Sequence, residues 1–102
     1  MVRVPTDRKP THPGEVLRED FLIPMGIKQQ ELADAIHVPF QRINEIVRGK
    51  RSVSPSTALR LARFFGTSAG FWVNLQLRYD LFETAQSEKG ELERIEPLHH
   101  AG

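Results

Sequence analysis

Three side chains that can read the edges of DNA bases recur at helical spacing between residues 41 and 48. Gln41, Asn44 and Arg48 are separated by three and four residues, which places them on one face of a helix. Gln and Asn form bidentate hydrogen bonds with adenine, and Arg forms them with guanine. An exposed helix without such a role is more often covered by Glu and Lys. The spacing therefore indicates sequence-specific hydrogen bonding in a DNA major groove.

Two sets of apolar residues place this face on the second helix of a helix-turn-helix. In each set the residues recur at spacings of three or four, as in an amphipathic helix, and Val38 lies in the short break between the sets. Ala33 is small enough for a close crossing, against which Ile43 and Ile46 would pack. Two short helices joined by a tight turn favour a helix-turn-helix over a generic helical hairpin. The sets are Leu32, Ala33 and Ile36, followed by Ile43, Ile46 and Val47.

The turn departs from the usual pattern at one position. Helix-turn-helix proteins often have Gly there, and this chain has His37. If the position needs a positive φ, His adopts it at a lower cost than a β-branched residue would. We therefore expect the turn to be retained.

The polar and basic residues around the second helix complete a predicted DNA surface. Gln29, near the start of the first helix, and Lys50 and Arg51, just after the second, are placed to hold phosphates. Arg42 and Glu45 are further candidates for base contacts. The complete predicted DNA-binding set is Gln29, Phe40, Gln41, Arg42, Asn44, Glu45, Arg48, Lys50 and Arg51, with Arg60 as an additional phosphate candidate.

Charge is distributed unevenly, although the net charge is only +1. Residues 41–51 carry four basic residues against one acid, a net charge of +3. From Asp80 to the end, six acids face two basic residues, a net charge of −4. A basic patch and an acidic end suggest two different partners, although the end is equally consistent with a solubilising tail.

The composition excludes several classes of function. The 102 residues contain no Cys, which rules out disulfides and thiol chemistry and is compatible with a cytoplasmic protein. No apolar run approaches the roughly 18 residues of a membrane span, and the N-terminus lacks the apolar core of a secretory signal. No phosphate-binding loop, HExxH motif or nucleophile elbow occurs, so neither an enzyme nor a cofactor is expected. His99 and His100 have no further ligand at metal-binding spacing, so no metal site is expected.

The chain is long enough for one domain, and its composition divides it into three parts. Residues 1–10 are expected to form an extended arm that lies on DNA or on a partner, or is simply mobile. Residues 11–86 are expected to form the folded domain, and residues 87–102 an acidic tail. We expect Ser54 to cap one helix and Gly66 to end it, and Thr67 or Ser68 to open the last one.

The first helix is expected to have an acidic exposed side. His12 or Thr11 would cap it, and Pro24 and Gly26 would end it. The side that faces away from its apolar residues is unsuited to phosphates and suited to a basic protein partner. The acids on that side are Glu15, Glu19 and Asp20.

The last helix carries two apolar stripes, which is more than the core of a small domain needs. The surplus suggests self-association, although both stripes could also be buried in one core. The first stripe is Trp72, Leu75, Tyr79 and Phe82, and the second, the predicted dimer interface, is Val73, Leu77 and Leu81.

Residues 12–81 closely resemble the HigA-type (VapI-related) antitoxins of the XRE helix-turn-helix family. The segments that carry the resemblance are HPGEVLRE (12–19), RINEIVRGKR (42–51), TALRLARFFGTS (57–68) and FWVNLQ (71–76). Two positions depart from the family pattern: Lys28, where many relatives have Thr or Ser as a helix cap, and His37 in the turn.

The resemblance implies an all-α, five-helix, lambda-repressor-like domain that forms a homodimer and binds a palindromic operator upstream of its own operon. It also implies a toxin partner of the HigB/RelE-like type, a small basic ribonuclease that cleaves messenger RNA. Glu15, Glu19 and Asp20 would then be toxin contacts. The competing interpretations are a stand-alone repressor without a toxin and a protein-interaction module that does not bind DNA.

Overall fold

The computed structural model describes residues 8–98. In that range the regular secondary structure is helical, and no strand occurs. The all-α fold class is confirmed. Residues 1–7 and 99–102, which include most of the predicted arm and the His99–His100 pair, lie outside the described residues. The six helices in the described range are α1 (residues 13–25, α-helical at Pro13–Val16 and Ile23–Met25, π-helical at Leu17–Leu22), α2 (Gln29–Ile36), α3 (Phe40–Val47), α4 (Pro55–Phe65), α5 (Ala69–Ser87) and α6 (Lys89–Glu93).

The number of helices is one more than the five expected, because α6 forms inside the segment interpreted as an acidic tail. Helix α6 is only five residues long and follows α5 after Glu88. Residues 91–98 are all exposed. This last segment therefore extends the molecule, which measures 56 × 24 × 22 Å, without adding to its core.

The boundaries of α4 and α5 follow from local hydrogen bonds, as predicted. The Ser54 hydroxyl accepts the Thr57 N–H at 3.2 Å at the start of α4, and Gly66 ends that helix with a φ of +77°. The Ser68 hydroxyl accepts the Phe71 N–H at 3.0 Å at the start of α5. Each contact satisfies a backbone group that the first turn leaves free.

Helix α1 begins as predicted and ends one residue later than Pro24. The Nδ1 of His12 accepts the Gly14 N–H at 2.9 Å, which identifies His12 as the cap. Within the π-helical segment hydrogen bonds span five residues, and the Ile23 N–H donates in this pattern. Pro24 lies inside the final turn rather than ending it, and Gly26 ends the helix with a φ of +64°.

The core lies where α1, α2, α3 and α4 meet the first part of α5. Ala33, Ile43 and Ile46 are fully buried, which confirms the predicted crossing of α2 and α3. At Gly14 a Cβ atom would lie 1.7 Å from the Ile46 carbonyl oxygen, so α1 rests directly on the backbone of α3. Helix α3 is therefore held on two sides. The buried apolar residues are Leu17, Leu22, Leu32, Ala33, Ile36, Val38, Ile43, Ile46, Val53, Ala58, Leu61 and Trp72.

Within a single chain, Trp72 is the one fully buried residue in the two apolar stripes of α5, and the rest of the first stripe (Leu75, Tyr79 and Phe82) is half-buried. Trp72 is fully buried and is surrounded by the rings of Phe21, Phe65 and Phe71, with centroid distances of 5.0 to 6.2 Å. In the second stripe Val73 and Leu77 are 37% and 40% exposed, and Leu81 is half-buried. The two stripes are thus not buried in one core.

Candidate nucleic-acid interface

The turn between α2 and α3 has the left-handed residue that the sequence suggested. His37 has a φ of +62° and a ψ of +50°, and the Val38 N–H closes the turn on the Ala33 carbonyl at 3.0 Å. The Arg60 guanidinium donates to the Ile36 carbonyl at 2.7 Å. Arg60, considered a phosphate candidate, thus stabilises the end of α2 through one of its nitrogens. This contact holds the turn that sets the direction of α3.

Lys28 precedes α2 without acting as a side-chain cap. The Glu31 carboxylate accepts the Lys28 N–H at 2.8 Å, which is one half of a capping box. The other half is absent because the Lys ammonium has no acceptor. The departure at Lys28 therefore leaves α2 capped through Glu31, and the position of Gln29 in the first turn is retained.

A side-chain hydrogen bond joins the two helices of the motif at the surface. Asn44 Nδ2 donates to Gln29 Oε1 at 3.1 Å, and both residues are half-buried. The predicted base reader and the predicted phosphate contact therefore orient each other. The remaining amide N–H groups of Gln29 and the Asn44 oxygen stay available to a ligand.

A second network joins α3 to the loop that follows it. Glu45 accepts hydrogen bonds from Arg51 Nε at 2.8 Å and from Gln41 Nε2 at 3.3 Å. The Arg51 guanidinium holds the pKa of the Glu45 carboxyl below its usual range, so Glu45 stays ionised. Glu45, considered as a base reader, thus spans the predicted reader Gln41 and the predicted phosphate contact Arg51.

The other predicted DNA contacts differ in exposure. Phe40, Arg48 and Lys50 are exposed beside the networks. Arg42 is half-buried, and its Nε atom is buried without a hydrogen-bond partner among the described residues. Arg42 is therefore less accessible to a ligand than Gln41, which is exposed on the same helix.

The loop after α3 is fixed at both ends. The Lys50 N–H donates to the Glu45 carbonyl at 2.8 Å, and Gly49 has a φ of +74°. At the other end the buried Val53 donates its N–H to Gln76 Oε1 at 2.8 Å. Lys50 and Arg51 thus lie between two anchors, next to the end of α3, and the Arg51 side chain bonds Glu45 on that helix.

Comparison with known proteins identifies the family. The helix-turn-helix family matches residues 17–72. Virulence-associated protein I of Dichelobacter nodosus is 51% identical over 87 residues, which cover 85% of this chain and 80% of that protein. Antitoxin HigA-1 of Vibrio cholerae is 34% identical over 93 residues, which cover 91% of this chain and 88% of that protein. The chain belongs to the HigA-type branch of this family.

A solved HigA structure gives the same result in three dimensions. The antitoxin HigA of Pseudomonas aeruginosa, solved with the higBA promoter, superimposes with a TM-score of 0.86 at 42% identity. The match covers 89% of this chain and 100% of that one. The resemblance read from the sequence is therefore confirmed at the level of family and fold.

The acidic side of α1 is exposed in this HigA-type chain. Glu15, Glu19 and Asp20 are all accessible to solvent, and Arg18 forms an ion pair with Glu19. Among the described residues Glu15 and Asp20 have no side-chain hydrogen bond or ion pair. The surface retains a net negative charge.

Metal sites and membrane spans have no candidates in residues 8–98. No group of three His, Asp or Glu side chains in this range is placed to hold a metal ion. No helix in the same range combines the length and the apolar character needed to cross a membrane.

Several residues that shape the interface were not identified from the sequence. The pairing of Gln41 with Glu45 had a local signal, because the two are four residues apart on one helix. The contact of Gln76 had no local sequence signal, because its partner Val53 is 23 residues away. Its position in the FWVNLQ segment was the only indication that it has a role.

Proposed function

We propose that this protein is the antitoxin of a type II toxin–antitoxin system, which binds a palindromic operator as a homodimer and represses its own operon. In the same proposal it neutralises a HigB/RelE-like, mRNA-cleaving toxin. The observation that carries the DNA-binding half is the surface at α3, where exposed Gln41 and Arg48 and half-buried Asn44 lie beside exposed Lys50 and Arg51. The HigA relatives, one of them solved with promoter DNA, support both halves.

The assignment of DNA contacts follows from the geometry of α3. In a helix-turn-helix the N-terminal part of the second helix reads bases, and the preceding helix crosses the backbone. Gln41 and Asn44 lie in the first turns of α3, and Gln29 lies in the first turn of α2. Gln41 and Asn44 are therefore assigned to base edges, and Arg48, which directly follows the last residue of α3, is assigned to a base edge on its exposure beside them. Gln29, Lys50 and Arg51 are assigned to phosphates, Glu45 orients Gln41 and Arg51, and Phe40 and Arg42 flank the contact.

Dimerisation is assigned to the second stripe of α5. A two-fold interface uses the same patch on both chains, and an exposed apolar stripe on one helix is self-complementary. Val73, Leu77 and Leu81 supply that stripe. Two copies paired in this way would set their α3 helices about one DNA turn, roughly 34 Å, apart.

The toxin is assigned to the acidic side of α1. A ribonuclease that binds RNA carries a basic surface, which attracts Glu15, Glu19 and Asp20 and repels the basic loop after α3. This separation of charge supports a toxin on α1 and DNA on α3.

Co-expression with a small basic protein encoded directly beside this gene tests the toxin half, and the absence of such a neighbouring gene would favour a stand-alone repressor. We expect the two proteins to co-purify and this chain to restore growth to cells that express the neighbour. If the protein binds its promoter DNA but neither binds the neighbour nor restores growth, it is a stand-alone repressor. The toxin half is then wrong while the DNA-binding half stands.

Replacement of a single base reader tests the DNA-binding half. Gln41→Ala removes one bidentate contact, worth about 1–3 kcal/mol of discrimination against the wrong base. We expect operator affinity to fall while affinity for random DNA is unchanged, as measured by titration of both duplexes. The matched control is Gln86→Ala on the exposed side of α5. An equal loss on both duplexes would show that Gln41 does not read bases.

A further inference from the structure

Gln76 is a buried polar residue on a helix otherwise assigned to packing and dimerisation. Its side chain is 6% exposed and makes two hydrogen bonds. Its Oε1 accepts the Val53 N–H at 2.8 Å, and its Nε2 donates to the Asp80 carboxylate at 2.9 Å. A buried amide with this little access to water depends on these partners, because an unpaired polar group in the interior is costly.

The Asp80 carboxylate fixes which way the Gln76 amide faces. An ionised carboxylate only accepts hydrogen bonds, so it binds the NH₂ group of the amide. The oxygen of the amide must then face Val53, whose backbone N–H only donates. The three groups thus allow one orientation, and Gln76 presents an acceptor to the loop.

The segment held by this acceptor carries the predicted phosphate contacts. Val53 is buried and immediately precedes Ser54, the cap of α4. At the other end the loop is tied to α3 through the Lys50 N–H. Lys50 and Arg51 are exposed beside this contact with α3. Their reach toward DNA therefore also depends on where the Val53–Gln76 hydrogen bond holds the other end of the loop.

We propose that Gln76 is a positioning residue for DNA binding, which holds the loop of residues 49–53 against α5 so that Lys50 and Arg51 reach the phosphate backbone. The role rests on the proposed DNA-binding function. Gln76 acts through the Val53 backbone and does not itself touch DNA. Because Val73 and Leu77 lie on the same helix, α5 connects the proposed dimer contact directly to the phosphate contacts of each copy.

The first test replaces the amide by an apolar side chain of similar length. Gln76→Met removes the acceptor, and Gln86→Met is the matched control on the exposed side of the same helix. We expect Gln76→Met to weaken operator binding about tenfold and to flatten its salt dependence, because phosphate contacts set that slope. Circular dichroism at the titration temperature verifies that the variant is folded. A folded variant with wild-type affinity and slope would overturn the proposal.

A cycle of variants separates positioning from a general loss of structure. In a chain that already carries Lys50→Ala and Arg51→Ala, the loop has no phosphate contacts left to position. The same Gln76→Met substitution should then change operator affinity by less than about twofold, since the two effects share one cause. A further tenfold loss in that background would show that Gln76 acts elsewhere.

A rescue experiment covers the case in which Gln76→Met does not fold. Gln76→Glu keeps the acceptor for Val53 but places two carboxylates together, so operator affinity should fall. Adding Asp80→Asn restores a donor opposite the new carboxylate, and affinity should return to within about threefold of wild type. Failure of this rescue would contradict the proposal. If wild-type protein does not bind its promoter DNA in the same assay, the proposed function and this role are both wrong.

Discussion

The α3 surface and the α1–α5 surface differ in how their side chains are partnered before any ligand is present. Around α3, five of the predicted DNA-binding residues bond one another, in the Gln29–Asn44 pair and in the Gln41–Glu45–Arg51 network. On α1 and α5 Glu19 pairs with Arg18 and Glu83 with Lys9, but several other acidic and apolar side chains face solvent without a side-chain hydrogen bond or ion pair among the described residues. Glu15, Asp20 and Leu77 are examples.

This difference indicates two modes of recognition in one small domain. Side chains that are already oriented lose less rotational freedom when they bind, which suits a regular and highly charged ligand such as DNA. Unpartnered acidic and apolar side chains become fully paired only in contact with another protein.

The largest effect is expected from disrupting the exposed stripe of α5. Leu77→Asp places a charge in the proposed dimer contact, so the protein should become monomeric by sedimentation. Because each half-site contact alone is weak, operator affinity should fall by about a hundredfold. Gln86→Asp adds the same charge on an exposed part of α5 and should leave both properties unchanged. A Leu77→Asp variant that remains dimeric would remove the stripe from the interface.

A smaller effect, independent of the DNA sequence, is expected in the loop after α3. Lys50→Ala combined with Arg51→Ala should weaken binding to operator and random DNA alike and flatten the plot of log K against log salt. The slope should change by about 0.9 for each lost phosphate contact, which is roughly two for the two contacts that each protomer loses.

The matched control for the loop removes the same charge elsewhere. Lys89→Ala with Arg94→Ala takes two positive charges from the segment around α6, far along the chain from α3. We expect the salt slope to stay at the wild-type value. If the two double variants behaved alike, the effect would come from net charge rather than from phosphate contacts.

The smallest effect is expected at His12, where α1, α5 and the end of α3 meet. Its ring lies against Tyr79 at a centroid distance of 4.9 Å, and burial lowers the pKa of His12 below its ordinary value of 6.5. The unfolded chain therefore binds the proton more readily than the folded chain. The contribution of His12 to stability is complete above about pH 6.5 and is lost as the pH falls below it.

A non-titrating cap isolates this contribution. His12→Asn keeps a side-chain acceptor for the Gly14 N–H but does not bind a proton in this range. Urea midpoints at pH 7.5 and 5.5 should fall further with acid in wild type than in the variant. An identical acid-induced loss in both proteins would show that His12 does not contribute to it.

What could be predicted from the sequence was local, and what was missed was mostly long-range. The apolar spacing of α2 and α3 identified residues that are buried, such as Ala33 and Ile46, because one helix period sets which side chains face the core. Ser54, and Thr67 or Ser68, identified two helix starts because a cap bonds only three residues ahead, and Ser68 is the cap of α5.

The missed features depend on residues far apart or on hydrogen-bond patterns without a strong sequence signal. Arg60 reaches the Ile36 carbonyl across 24 positions, and Gln76 reaches Val53 across 23. Leu17 and Phe21 are four residues apart, as on one face of an ordinary α-helix, so this spacing does not reveal the π-helical hydrogen bonds of α1. Short α6 has too few apolar residues for a sustained pattern.

Charge reversal on α1 tests most directly whether the two surfaces serve two partners. Glu19→Lys with Asp20→Lys should abolish co-purification with the neighbouring small basic protein and its neutralisation in the growth assay. The same variant should bind operator DNA with wild-type affinity, measured by titration with the same preparation. A variant that binds that protein as wild type does, or loses operator binding in parallel, would contradict the separation of the two surfaces.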